Sequence, residues 1–124
     1  MSTASTLPTA AAITDFVHAQ VAAWNAGDRE AFFAAYRQAA PNGLRIEYVG
    51  RGPASDGWPV LEHMWAQQAA RIQIEALALV VNGTEAACHH RNHLRGTTTV
   101  IETIELYHFQ GDGQLGVRYF IATP

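Results

Sequence analysis

The sequence predicts an α+β domain in which three short helices cover one face of a mainly antiparallel sheet. Three observations predict it. Apolar residues recur at helical spacing in two stretches near the start, separated by the break Asn25-Ala26-Gly27-Asp28. A third helical stretch begins at Pro59. Beyond Arg71 the pattern changes to strand-like runs separated by turn signals. The order reads α-α-β-α-β-β-β-β, with no repeat and no domain boundary. The 124 residues thus form one domain with a core of its own.

Each element has a local cause. Residues 1–11 are small and polar around Pro8 and read as a flexible N-terminus, leaving residues 12–124 as the domain. Thr14 is placed to cap the first helix, with Asp15 near the positive end of its dipole. Ile13, Val17, Gln20 and Trp24 share one face of it. Gly27 ends this helix and Asp28 caps the next, whose buried side carries Phe32, Phe33 and Tyr36. After the turn "PNG", "LRIEYVG" alternates as a strand, and "RGPASDG" reads as a loop. The third helix spans about Trp58 to Arg71 and carries Leu61, Met64 and Trp65. "IQIEALALVV" and "EAACHHRNHL" form a hairpin about Asn82-Gly83. "TTTVIETIELYHF" and "QLGVRYFIA" follow, joined by "QGDG".

Composition narrows the function. About half the residues are apolar (48%) and only 15% are charged, as in a globular chain. The net charge of −3 argues against nucleic acid or an anionic membrane as partner, since both demand a clustered basic surface. All eight basic residues are arginine, which excludes lysine Schiff-base chemistry and Walker-type phosphate binding. Cys88 stands alone, so the chain has no internal disulfide and no cysteine-rich zinc site. The start lacks a secretory pattern and no run reaches membrane-spanning length, so the expectation is a soluble cytoplasmic protein.

The element order, "WNAGD" near the start and "ELYHFQGDGQL" near the end resemble the nuclear transport factor 2-like superfamily. Within it the likeness is to ketosteroid isomerases and SnoaL-like polyketide cyclases, over about Thr14 to Ala122. The resemblance implies a cone-shaped α+β roll: a strongly curved sheet wraps the helices around an apolar cavity, and two copies form a homodimer through the sheet. It also implies site residues. The isomerases' tyrosine donor falls at Gln20, their aspartate base at Tyr48, and their oxyanion-hole acid at Glu105. Supporting aromatics fall at Tyr36 and Trp65, with Trp24 on the same helix face as Gln20. The acid is kept as glutamate, while the base and the tyrosine donor are replaced. An amide and a phenol do not shuttle a proton at neutral pH as a carboxylate does.

Strand alternation extends the candidate set. If Glu105 faces the cavity, so do Ile101, Thr103 and Tyr107. The family pattern turns Ala86, Cys88, His90 and Asn92 inward, which brings His90 near Glu105. A four-residue "QGDG" loop would set Glu105 opposite Arg118, with Phe120 on the same face as Arg118. A one-residue slip turns Arg118 outward, and the amphipathicity of "VRYF" would rather bury Val117 and Tyr119; both registers stay open. A carboxyl in an apolar cavity has its pKa raised by desolvation, whereas a paired Arg118 would keep Glu105 ionised. His90 is the candidate base, because imidazole titrates near neutrality. The structural alternatives are a surface Glu105, a His90 satisfied by a carbonyl or by Asn92, and a Gln20 bonded to Trp24 or Tyr48.

"HHRNH" does not read as a metal site. His89 and His93 share a strand face but lie about 13 Å apart, while zinc takes nitrogen ligands at about 2 Å. They read instead as outer-face residues. Two functions follow. One is a cofactor-independent isomerase, cyclase or dehydratase, in which His90 moves a proton while Glu105, with Tyr48 or Gln20, stabilises an enol oxygen of a small hydrophobic molecule. The other is a non-catalytic binding or dimeric adaptor domain.

Overall fold

The computed structural model describes residues 7–122. Its elements are α1 (Ala10–Ala26), α2 (Arg29–Ala39), β1 (Gly43–Tyr48), β2 (Ser55–Asp56), α3 (Gly57–Gln68), β3 (Ile72–Asn82), β4 (Glu85–Leu94), β5 (Val100–Phe109) and β6 (Gln114–Ile121). The α+β order is the one expected, with the two-residue β2 added inside "RGPASDG".

The first helix starts earlier than its capping signal suggested. Thr9, not Thr14, is the N-cap, and its Oγ1 accepts from the Ala12 amide at 3.1 Å. Three alanines in succession, the residue of highest helix propensity, carry the helix back to the residue after Pro8. The Thr14 hydroxyl bonds to the Ala10 carbonyl instead, at 2.9 Å. The flexible reading of residues 1–6 lies outside the described residues. Gly27, at φ 70°, ends α1 in the left-handed conformation that glycine adopts without strain, and Asp28 caps α2. Asp56 caps α3, so that helix begins at Gly57.

The six strands form one sheet in the order β2-β1-β6-β5-β4-β3. All neighbours are antiparallel except β1 and β6, which run parallel. The β3–β4 hairpin turns on Gly83-Thr84, because Asn82 itself pairs with Glu85. A register shift between Ala76 and Ala78 leaves Leu77 bulged out of β3, and bulges of this kind sharpen strand bending and twist. The core lies between the sheet and the helices. Ile13, Phe16, Val17 and Trp24 of α1 and Phe32, Phe33 and Tyr36 of α2 pack with Leu44, Ile46, Tyr107, Phe109, Leu115 and Val117 of the strands. Leu61 of α3 is fully enclosed with them. No helix among the described residues is long and apolar enough to cross a membrane.

The β5–β6 register departs from the four-residue-loop expectation. Phe109 pairs with Leu115, and the Gln110 amide bonds the Gln114 carbonyl at 2.9 Å. The loop proper is Gly111–Gly113, one residue shorter than supposed. That single step reverses β6. Val117 and Tyr119 face the core, while Arg118 and Phe120 lie on the outer face, so neither belongs to the inner site. Arg118 donates to Glu47 Oε1 at 3.0 Å and lies over the Phe120 ring.

Candidate active site

The pairing lays the inner-face residues out in rows. Cys88 of β4, Glu105 of β5, Tyr119 of β6 and Tyr48 of β1 form one row across four strands. The next row holds His90, Thr103 and Ile121. On the other side lie Ala86, Tyr107, Val117 and Ile46. Glu105 is therefore central.

Apart from tyrosines, the buried polar side chains among the described residues are Gln20, His90, Thr103 and Glu105. They meet in one network. Glu105 Oε1 accepts from the Tyr107 hydroxyl at 2.7 Å, and Oε2 accepts from the Thr103 hydroxyl at 3.2 Å. His90 Nδ1 lies 3.2 Å from the same Oε2. Gln20 Nε2 donates to the Tyr107 hydroxyl at 3.0 Å. Asn92 Nδ2 donates to Thr103 Oγ1 at 3.1 Å and to the Ile101 carbonyl at 2.9 Å. His90, 1% exposed, keeps one atom unused: Nε2 is buried with no hydrogen-bond partner. Buried polar atoms are nearly always paired, so an unpaired imidazole nitrogen asks for an explanation.

Four phenols surround the carboxylate. Burial, followed by the charge of Glu105, pushes the Tyr36 hydroxyl well up; bonds with Tyr119 and Tyr107 oppose the shift in part. Burial raises Tyr107 and Tyr119 well above the ordinary phenol range, and Tyr48 is also raised, with Arg51 acting against it. The Cys88 thiol is pushed up to about 12 by burial and by Glu105. At neutral pH these groups are uncharged. Tyr48 can donate a hydrogen bond but cannot act as the base.

The structure brings Tyr48, His90, Asn92, Thr103, Glu105 and Tyr107 together on the inner face of the sheet, with Gln20 of α1 and Tyr36 of α2 in the helical layer that covers it. It sets Trp24 and Trp65 apart from them. Trp24 donates to the Ile72 carbonyl at 2.9 Å and meets Trp65 edge-on at 5.4 Å, among the α2 aromatics. Tyr119 is the inner-face tyrosine absent from the candidate set. The "VRYF" alternation was the signal for it, and the loop length decided against Arg118. His89 and His93 are on the outer face with Glu102 and Glu75, at 2.5 and 2.8 Å.

Neither of two pockets contains Glu105 or His90 among its lining residues. A groove of about 380 Å³ runs between α1, α2 and the β5–β6 turn, past Asp15, Phe16, Ala35 and Phe109. A shallower one of about 290 Å³ lies on the outer face by His89, Ile104 and Phe120. The Phe16 ring lines the groove on one side and stands edge-on to Tyr36 and Tyr107 on the other, at 5.0 and 5.6 Å. It is the side chain between the groove and the network.

No protein-family model and no curated protein matches the chain by sequence. Solved structures match its shape. A nuclear transport factor 2-like protein of unknown function from Burkholderia xenovorans is 15% identical, covering 92% of this chain and 85% of that one, with a TM-score of 0.73. A SnoaL-like protein of unknown function from Burkholderia thailandensis is 18% identical, covering 93% and 98%, with a TM-score of 0.68. A de novo designed protein with a curved β-sheet is 13% identical, covering 93% and 88%, with a TM-score of 0.71. The chain has the nuclear transport factor 2-like cone fold. At these identities the likeness is one of fold, and chemistry has to be argued from the site.

Proposed function

We propose that the chain is a cofactor-independent acid–base enzyme of the isomerase, cyclase or dehydratase type. Its substrate is a hydrophobic carbonyl compound or hydroxylated ring, held between the sheet and the helices. One observation carries the reading: a buried imidazole is held through Nδ1 by Glu105 while its Nε2 is left without a partner. A base oriented by a carboxylate, with its second nitrogen free, is the arrangement that general-base catalysis requires. Glu105 orients His90 in this reading. The neutral phenol of Tyr48, in the Glu105 row, supplies a hydrogen-bond donor for an enol oxygen. Entry runs through the groove and past Phe16. The working form is a homodimer joined through the outer face. A lone, buried, unbonded thiol suits a reducing compartment, here the cytoplasm.

The enclosure of the network by Phe16 and Tyr36 favours a second reading, a binding or adaptor domain with no turnover. A thermal-shift screen of wild type and Glu105→Gln separates the two. The panel holds planar phenols, steroid ketones, polyketide-like aromatics and terpenoid epoxides. A ligand at 100 times its dissociation constant stabilises a fold by about 2.7 kcal/mol. The enzymatic reading expects a shift in wild type that falls in the variant. It also expects turnover of a shifting ligand that is lost in His90→Ala. No shift across the panel supports the adaptor.

A further inference from the structure

The hydrogen bonds around Glu105 run in one direction, and that direction decides what kind of group His90 can receive. The inference rests on the reading above in taking His90 as the point of ligand contact. Asn92 Nδ2 donates to Thr103 Oγ1 at 3.1 Å. A hydroxyl has one proton, so Thr103 spends its own on Glu105 Oε2 at 3.2 Å. On the other side Gln20 Nε2 donates to the Tyr107 oxygen at 3.0 Å, and Tyr107 directs its proton to Glu105 Oε1 at 2.7 Å. Both oxygens of Glu105 thus receive a hydroxyl proton, the pattern of a carboxylate that accepts on every side. His90 Nδ1, 3.2 Å from Oε2, is then the donor of that contact. Nε2 is buried with no acceptor for a second N–H, so the ring carries its one N–H on Nδ1 and Nε2 keeps a lone pair.

We propose that this network, from Gln20 at one end to Asn92 at the other, fixes the His90 tautomer through Glu105, and that the site takes proton-donating ligands. Such a ligand brings a hydroxyl, an N–H or an acidified C–H to Nε2 on an otherwise apolar body. A molecule carrying only acceptors in that position leaves the nitrogen unpaired and is rejected. The same logic reassigns Glu105. Both its oxygens are committed as acceptors, so it holds the imidazole and donates nothing to an enol oxygen.

The first experiment reads the tautomer of His90 in the ligand-free protein by long-range proton–nitrogen correlation of ¹⁵N-labelled imidazoles. The expected result is a protonated Nδ1 and a bare Nε2; a protonated Nε2 overturns the proposal. The second compares 2-naphthol with 2-methoxynaphthalene, the same rings with and without a donor. Wild type should prefer the naphthol by about tenfold, the worth of one hydrogen bond to a buried acceptor. Equal binding overturns the proposal. Glu105→Gln keeps the shape and reverses the direction. Its amide oxygen stays on the shorter Tyr107 bond and its NH₂ faces His90 Nδ1, so the proton moves to Nε2 and the naphthol preference disappears. Retention of tautomer and preference in that variant also counts against the proposal. If both wild-type results hold and no carbonyl compound is turned over, the network stands as a recognition device and the enzymatic reading falls.

Discussion

Tyr119 stands directly across β5 and β6 from Glu105, and Arg118 beside it points to solvent. The relation is set at the turn. With Gln110 bonded to Gln114, three residues close the loop, and every β6 side chain takes the face opposite to the one a four-residue loop would give. The chemical consequence is large. A guanidinium opposite Glu105 would have neutralised it and filled the space. A phenol leaves the carboxylate to His90.

Arg118→Ala should therefore be almost silent. The side chain is half exposed and its pair with Glu47 lies at the surface, where ion pairs contribute about 0–1 kcal/mol. Melting temperature should change by a degree or two, and ligand shifts should match wild type. A loss of ligand binding in this variant would mean that β6 presents the other face.

Tyr107→Phe should be costly although it removes one atom. Tyr107 is fully enclosed and links Gln20 to Glu105. Its loss strands the Gln20 amide and one carboxylate oxygen in the core, at about 1–3 kcal/mol for each buried group left unpaired. Chemical denaturation should show a lower midpoint with an unchanged slope. Gln20→Leu combined with Tyr107→Phe should cost less than the sum of the single changes, because the two share one bond.

How much of this was legible beforehand differs by residue. Helix breaks were readable because Gly27 and Asp28 act locally. The inner face of β5 was readable because alternation fixes it once one member is placed, and Glu105 brought Thr103 and Tyr107 with it. The Glu105–His90 contact followed from strand adjacency. Arg118 and Phe120 were misplaced because loop length, a single residue at Gly111–Gly113, carries no periodic signal of its own. Trp24 shared helical spacing with Gln20, and Trp65 came from the family resemblance, but only packing shows that they turn to each other and to Phe32. The parallel pairing of β1 with β6 joins distant parts of the chain and leaves no mark in either segment.

Alkaline pH should reveal the tyrosines. All four of the chain's tyrosines are raised above the ordinary phenol value of 10 by burial, and Cys88 is raised to about 12. A group whose folded value is raised contributes full stability below its unfolded value, and loses it as pH climbs through the folded one. Stability should therefore hold to about pH 9, where an unfolded thiol begins to ionise, and fall steeply above 10. Tyrosinate absorbance should appear together with loss of helical circular dichroism. Phenols titrating near pH 10 in a fully folded chain would place them at the surface.

Gly57→Ala tests the seat of α3. A Cβ there would come within 2.4 Å of Leu44 Cγ and 2.8 Å of its Cδ2, in the layer between α3 and β1. Overpacking of a tight core typically costs about 1–3 kcal/mol. Leu44→Ala in the same chain removes the obstructing atoms, so the double variant should recover part of the loss. If Gly57→Ala melts at the wild-type temperature, α3 sits farther from β1 than this packing allows.

The outer face of the sheet gives the last prediction. Val80 is 65% exposed, Ile104 40% and Phe120 37%. Ile104 pairs with Phe120 across β5 and β6, and Ala78, Val80, Ala87 and Leu106 continue the same face. Around them stand groups of both signs: Glu75 with His93, Glu102 with His89 and Arg91, and Glu47 with Arg118. An apolar centre with a rim carrying both charges can match a rotated copy of itself, which is the requirement of a two-fold interface. Sedimentation should give a dimer whose melting temperature rises with protein concentration. Ile104→Asp puts an unpaired charge at the centre of that face and should give a monomer with concentration-independent melting. The Glu105 network lies on the opposite face of the same strands, so His90 should keep its tautomer in the monomer. A wild type that sediments as a monomer at high concentration would leave this face to another partner.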